Sequence, residues 1–423
     1  MKLVLKTTLS LAALTAGSQA LAQYSSPPPS TPQLPTAAGA GVEKASTYQP
    51  KASASARKEL AELQAAVKAK DAANIPAKVA AAKAKARTKD DHYVIAQLQL
   101  RAAADAGDNA AILTALDAII ATGVLPPSDQ LRVYNNLGKL RYNAKQFDAA
   151  AAAFEQVLRI DSNNVEATVM LAESRNSQGR PAEAVALLRK AIAAKTASGQ
   201  KAEESWYKRA VALGFNAGLP VSVPAARDWV AVYPTPTNWR DAIRVYQSTS
   251  KLGDADLIDS MRLAHATGGL KGESDYFRFA NVLVTRGYPG EAKAVLEQGF
   301  AAKSIDKARP TFTQIYALAS TKALVDRASL AATAKAALAS PTARPAMTTA
   351  DAFYGYGDYA QAASLYRAAL TKGGVDKDLA QLRLGMALAR AGDRAGATAA
   401  LNAVGGAQSE IAKFWLTYLA TRG

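Results

Sequence analysis

YNNLGKLRYNAKQFDAAAAAFEQVL, residues 134–158, is the stretch that decides the fold. Its apolar residues recur at three- and four-residue intervals on both sides of a polar break at Asn143 to Gln146. That spacing predicts two short helices joined by a tight turn. Gly138 and Ala150 are small, and Tyr134, Leu137 and Phe154 are large. Two antiparallel helices can approach closely where the small residues lie, while the large ones fill the space beside them.

The following stretch, TVMLAESRNSQGRPAEAVALLRKAI at 168–192, repeats the pattern at a shift of 34 residues. Leu137-Gly138 falls on Leu171-Ala172, Ala150 on Ala184 and Phe154 on Leu188. Nearer the C-terminus, Ala350, Gly357, Ala362 and Tyr366 match Gly385, Gly392, Ala397 and Leu401 at a shift of 35, and another copy carries Tyr276, Ala280, Gly287 and Ala292. Gly179, Gly287, Gly357 and Gly392 sit where a helix ends in a left-handed backbone, which glycine adopts without steric cost. One such pair cannot bury its apolar faces alone, so neighbours must stack.

The blocks at 134–158 and 168–192 resemble the tetratricopeptide repeat family. The resemblance implies an all-α solenoid of antiparallel helix pairs over 43–423, clearest at 131–164, 165–198, 273–306, 343–377 and 378–411. The remaining segments read as divergent pairs at 54–87, 92–121 and 239–266. The proline-rich stretch 214–238 is expected to hold the least regular turns, with a change of curvature or a junction of two sub-arrays there. A second irregular point is expected at 340–345.

In that family the first helix of each pair lines a concave groove that holds an extended or helical peptide. Carried over, the groove positions are Arg132, Asn135, Lys139, Tyr142 and Asn143, then Glu166, Val169, Glu173, Asn176 and Ser177. Asparagine offers a donor and an acceptor to a peptide backbone, and Lys and Arg supply charge. The groove is mixed in sign. The resemblance therefore implies a protein or peptide partner and a scaffold rather than an enzyme.

The N-terminus reads as an export signal: Lys2 and Lys6, a short apolar run from Thr7 to Gly17, and Ala20-Leu21-Ala22 as a small-x-small cleavage site before Gln23. The apolar run is about half of the roughly 20 residues that cross a bilayer. Residues 1–22 are thus expected to be a signal peptide. Residues 23–42 (QYSSPPPSTPQLPTAAGAGV) are expected to be a disordered spacer. The mature protein is expected in the periplasm or outside the cell, with a role in bacterial envelope assembly or maintenance. With no cysteine in the chain it is not a lipoprotein.

Composition narrows the chemistry further. There is no cysteine, and His92 and His265 stand far apart, so no thiolate site, cysteine nucleophile or imidazole cluster can form. No phosphate-binding glycine loop, HExxH or G-x-S-x-G is present. Ser-x-x-Lys occurs three times, at Ser55/Lys58, Ser248/Lys251 and Ser304/Lys307, without supporting partners. No catalytic, cofactor-binding or metal-binding residue is assigned, and no small-molecule substrate is inferred.

One charge feature remains. The chain carries 51 Lys and Arg against 35 Asp and Glu. Ten of those cations and three acids lie between Lys51 and Lys89. Lys78, Lys83, Lys85, Arg87 and Lys89 are the candidates there for contact with an anionic envelope polymer or a membrane surface. Nucleic acid is disfavoured, because no aromatic residue is interleaved for stacking. The four tryptophans read as packing wedges, with Trp239, after Tyr233-Pro234-Thr235-Pro236, expected to be partly exposed.

Overall fold

The computed structural model describes residues 48–422, so the expected signal peptide and spacer lie outside the described residues. Twenty α-helices and no strand occur among the described residues. The chain divides after Leu219, within the proline-rich stretch, into two compact units.

The first unit holds α1 (Arg57–Lys68), α2 (Ile75–Lys85), α3 (Lys89–Ala106), α4 (Asn109–Ala121), α5 (Pro127–Asn143), α6 (Phe147–Ile160), α7 (Val165–Ser177), α8 (Pro181–Ala197) and α9 (Glu204–Asn216). Each helix packs on its chain neighbours, as hairpins in a stacked array must. A Cβ placed on Gly138 would lie 2.7 Å from the Phe154 ring, closer than any side chain tolerates. That contact is the close approach of α5 and α6 expected from the small and large residues. Gly179 turns the chain after α7 at φ +75°, and Gly287, Gly357 and Gly392 end helices of the second unit at +82°, +80° and +88°.

The start of α3 is the most elaborate cap. The Thr88 hydroxyl accepts from the Asp91 N–H in a capping box. Asp91, fully buried, in turn accepts from the backbone N–H groups of Arg87, Ser53 and Thr88 and from the Ser53 hydroxyl. Burial pushes its carboxyl upward, but these four donors outweigh it and hold Asp91 well below the usual carboxylate range.

The second unit holds α10 (Ser222–Val232), α11 (Pro236–Thr249), α12 (Asp254–Ala266), α13 (Gly272–Arg286), α14 (Pro289–Ala301), α15 (Pro310–Ala339), α16 (Ala343–Gly355), α17 (Tyr359–Lys372), α18 (Lys377–Ala391), α19 (Arg394–Asn402) and α20 (Ser409–Thr421). Its last helix returns to its first. Arg227 of α10 pairs with Glu410 of α20 at 2.6 Å, and the Trp239 ring of α11 lies 6.3 Å from Phe414 and 6.4 Å from Tyr418. This unit therefore closes on itself instead of ending in an open face.

Three expectations change. Residues 214–238 are not irregular: they carry the end of α9, all of α10 and the start of α11, with turns of a few residues. Pro224 and Pro236 fall in the first turns of α10 and α11, where the missing N–H has no helical partner to lose. Trp239 is 2% exposed, because α20 folds over it. The stretch between the third and fourth clear repeats is one helix, the 30-residue α15. The helices on either side of α15 touch each other directly: a Cβ on Gly355 would lie 2.9 Å from Glu291 Cβ, and one on Gly290 2.3 Å from the Tyr356 ring. The repeats thus stack without α15, which is laid alongside them.

Candidate functional site

The first helices of the clear repeats in the first unit, α5 and α7, and the next one, α9, share a polar face. Lys139 of α5 meets Glu166 of α7 at 2.6 Å, and Asn135 donates its amide N–H to the same carboxylate at 3.2 Å. Glu173, about two turns further along α7, receives both forks of Arg209 from α9 at 2.8 and 3.1 Å. Charges therefore alternate along the face, as the mixed-sign groove predicts.

The remaining positions are mostly accessible. Arg132 is half-buried and pairs with Asp129 at 3.0 Å. Tyr142 is half-buried, edge-on to Phe147 at 5.5 Å, and Asn143 is exposed. Asn176 and Ser177 are half-buried at the end of α7. Beside them Ser177, Gln178 and the turn from Lys145 to Ala149 enclose a cleft of about 500 Å³. Glu173 departs from the others and is buried.

The Lys139–Glu166 pair, whose carboxylate faces water, contributes about 0–1 kcal/mol, so an arriving ligand can exchange it at little cost. Asn135 adds a second handle. Its side-chain oxygen is shut away from solvent without a hydrogen-bond partner. An unmade bond of that kind costs roughly 1–3 kcal/mol, and the Asn135 amide N–H is the group the face offers.

The same repeat positions are exposed at Phe277, Asn281 and Thr285 of the repeat at 273–306 and sealed in the last two clear repeats. Asp351 follows Ala350 as Lys139 follows Gly138 and Glu173 follows Ala172; Tyr354 stands where Tyr142 and Asn176 stand. In the last clear repeat, Leu382 and Met386 take the places of Asn135 and Lys139. Asp351 is 3% exposed, Tyr354 6%, and Leu382 and Met386 are fully buried.

What seals them is an ionic core that the sequence does not announce. Arg383 of α18 bonds Asp351 of α16 at 2.7 Å and Asp259 of α12 at 3.2 Å. Arg262 of α12 bonds Asp259 at 3.1 Å and Glu291 of α14 at 2.7 Å, and stacks its guanidinium 4.5 Å from the Tyr354 ring centroid. Tyr366 and Tyr288 donate their hydroxyls to Asp351 at 2.6 and 3.1 Å. All five charged residues are buried. Burial pushes Asp259 upward, against the pull of Arg383 and Arg262. The one signal available in sequence is a charge inside an apolar run, as with Arg383 in LRLGMAL.

The basic stripe lies on α2 and the turn after it. Lys78 pairs with Glu62 of α1 at 2.7 Å. Lys83, Lys85, Arg87 and Lys89 are exposed and form no ion pair among the described residues.

Family models described as tetratricopeptide repeat match residues 142–200 and 347–410. No curated protein matches the sequence. Solved structures that match include a tetratricopeptide repeat protein from Parabacteroides merdae, 14% identical, with 70% of this chain and 99% of that one covered and a TM-score of 0.28. PilF of Pseudomonas aeruginosa is 15% identical, with 65% and 90% covered and a TM-score of 0.18. A Rap protein complexed with competence and sporulation factor is 14% identical, with 77% and 99% covered and a TM-score of 0.24.

Proposed function

We propose that this tetratricopeptide repeat protein is a non-enzymatic scaffold that receives a peptide segment of a protein partner on the first-helix face of α5, α7 and α9, and that it does so in the bacterial envelope after export. The observation that carries the reading is the contrast between these repeats and the last two clear repeats. Equivalent repeat positions are open and exchangeable around Asn135, Lys139, Tyr142 and Asn143, and buried around Asp351, Tyr354, Leu382 and Met386. A ligand of mixed charge with free backbone amides suits the open face: Asn135 bonds its backbone, Lys139 and Glu166 its acidic and basic side chains. Binding on a preformed face leaves the backbone little changed, and affinity comes from a few anchors, not from area.

The test is panning of a displayed random-peptide library against the full chain. Selected peptides should lose about tenfold or more in affinity with Lys139→Glu or Asn135→Ala, each a change of roughly 1.4 kcal/mol or more, while circular dichroism is unchanged. Peptides that bind both variants as tightly as the parent would assign the partner surface elsewhere.

Lys83, Lys85, Arg87 and Lys89 favour a second reading, contact with an anionic envelope polymer or membrane surface. Retention on a phosphate matrix that falls steeply with salt, and vanishes when all four are changed to glutamine, is its signature.

A further inference from the structure

α15 is the anomaly of the second unit. Its core face is formed by Phe312, Ile315, Ala319, Ala323 and Leu330, all buried. At 100° per residue, the opposite face is apolar as well. Adjacent apolar pairs start at 317, 324, 331 and 338 (Ala-Leu, Leu-Val, Ala-Ala, Leu-Ala), with Thr321, Ala328 and Lys335 between them. Leu324 is 78% exposed and Val325 70%, and four of the six large hydrophobic residues most exposed among the described residues lie on this helix, with Leu318 and Leu338. A helix apolar all round is normally buried all round.

The period identifies what covers it. Apolar pairs every seven residues form the seam of one helix against another. The charges then choose between partner helices. The outward stripe carries one charge, Lys335, while Lys322 and Arg327 stand at its edges. A strongly acidic or basic partner finds little to pair with.

We infer that α15 is the contact of a two-fold homodimer, pairing antiparallel with α15 of a second copy about Ala328. This arrangement sets large against small: Leu324 and Val325 face the second copy's alanines at 331 and 332, and alanine meets alanine at the axis, where the helices come closest. No like charges oppose, since Lys335 faces Thr321. The seam from Ala317 to Ala339 is about 35 Å long and buries on the order of 1,000 Å² in total, the lower limit for a specific interface. The dimer is accordingly a weak one.

The absence of cysteine makes the register testable. Ala328→Cys alone should form a disulfide-linked dimer under mild oxidation, because residues at the axis meet within disulfide reach. Ala317→Cys should not, since its symmetry mate lies roughly 33 Å away along the helix. Sedimentation equilibrium of the full chain should show a monomer–dimer equilibrium that Leu324→Glu with Val325→Glu weakens by about tenfold or more, with circular dichroism unchanged. A monomer at all concentrations, a dimer indifferent to the two glutamates, or equal cross-linking of both cysteine variants would overturn the inference. So would a monomer that floats with phosphatidylglycerol vesicles through these residues, which would make the face a membrane contact.

Discussion

Replacing Arg383 by Met keeps the length and apolar stem of the side chain and removes only the fork that ties α18 to α12 and α16. Arg383 is 4% exposed, and its loss leaves Asp259 with Arg262 as its one remaining guanidinium and Asp351 with two tyrosine hydroxyls and Arg262 at 3.9 Å. Breaking a buried pair by removing one partner costs roughly 3–5 kcal/mol, and the donors that remain place this case near 3. That is a large share of the 5–15 kcal/mol by which a domain is typically stable. With a urea dependence of about 2 kcal/mol per molar, the midpoint should fall by about 1.5 M. Tryptophan fluorescence reads it, since Trp229, Trp239 and Trp415 lie in the second unit. The sign with pH follows from Asp259. Burial already raises its carboxyl, and losing Arg383 raises it further, so the protonated form is favoured in the fold. A group raised in the fold adds stability below its unfolded value and loses it as pH rises through the folded one. The deficit of the variant should therefore be largest at pH 7 and narrow towards pH 5, and adding Asp259→Asn should recover part of it. A loss below about 1 kcal/mol, or one that ignores pH, would refute the claim that this buried pairing holds the second unit closed.

Asp91→Asn should cost the first unit roughly 2–4 kcal/mol, since several charge-assisted bonds are weakened. Asp91 is held low in the fold, so its contribution is present above the unfolded carboxylate value near pH 4 and lost as pH falls through the folded one; urea titrations followed by circular dichroism at pH 7 and pH 3 should show the variant less acid-sensitive than the parent. Gly138→Leu should lower stability by about 1–3 kcal/mol through overpacking against Phe154, with part regained by Phe154→Leu in thermal melts. Mass spectrometry of the chain expressed with its own N-terminus in a Gram-negative host should find a mature start at Gln23; an intact Met1 in the periplasmic fraction would contradict export by cleavage.

What could be read from the sequence was what neighbours in sequence determine. Gly138 against Phe154, the left-handed glycines and the helix pairs at 57–85, 89–121 and 236–266 are set by residues within one hairpin. The positions proposed for the groove share one helix face for the same reason, because a repeat carries its face with it. What escaped is what distant segments decide. Asp259 and Arg383 are 124 residues apart in the chain, so nothing local marks them as partners, and Trp239 reads as partly exposed until α20 returns to cover it. The prolines of 214–238 suggested the least regular turns, yet Pro224 and Pro236 occupy helix first turns, a distinction that needs the register and not the count.

The measurement closest to the central claim is hydrogen exchange of the full chain with and without a peptide selected by panning. Protection confined to α5, α7 and α9, with the core around Asp351 and Arg383 unchanged and already slow, is the predicted result. Protection that appears around Asp351 and Arg383, or none in α5 and α7, would contradict an open working face on α5, α7 and α9 and a sealed one in the last two repeats.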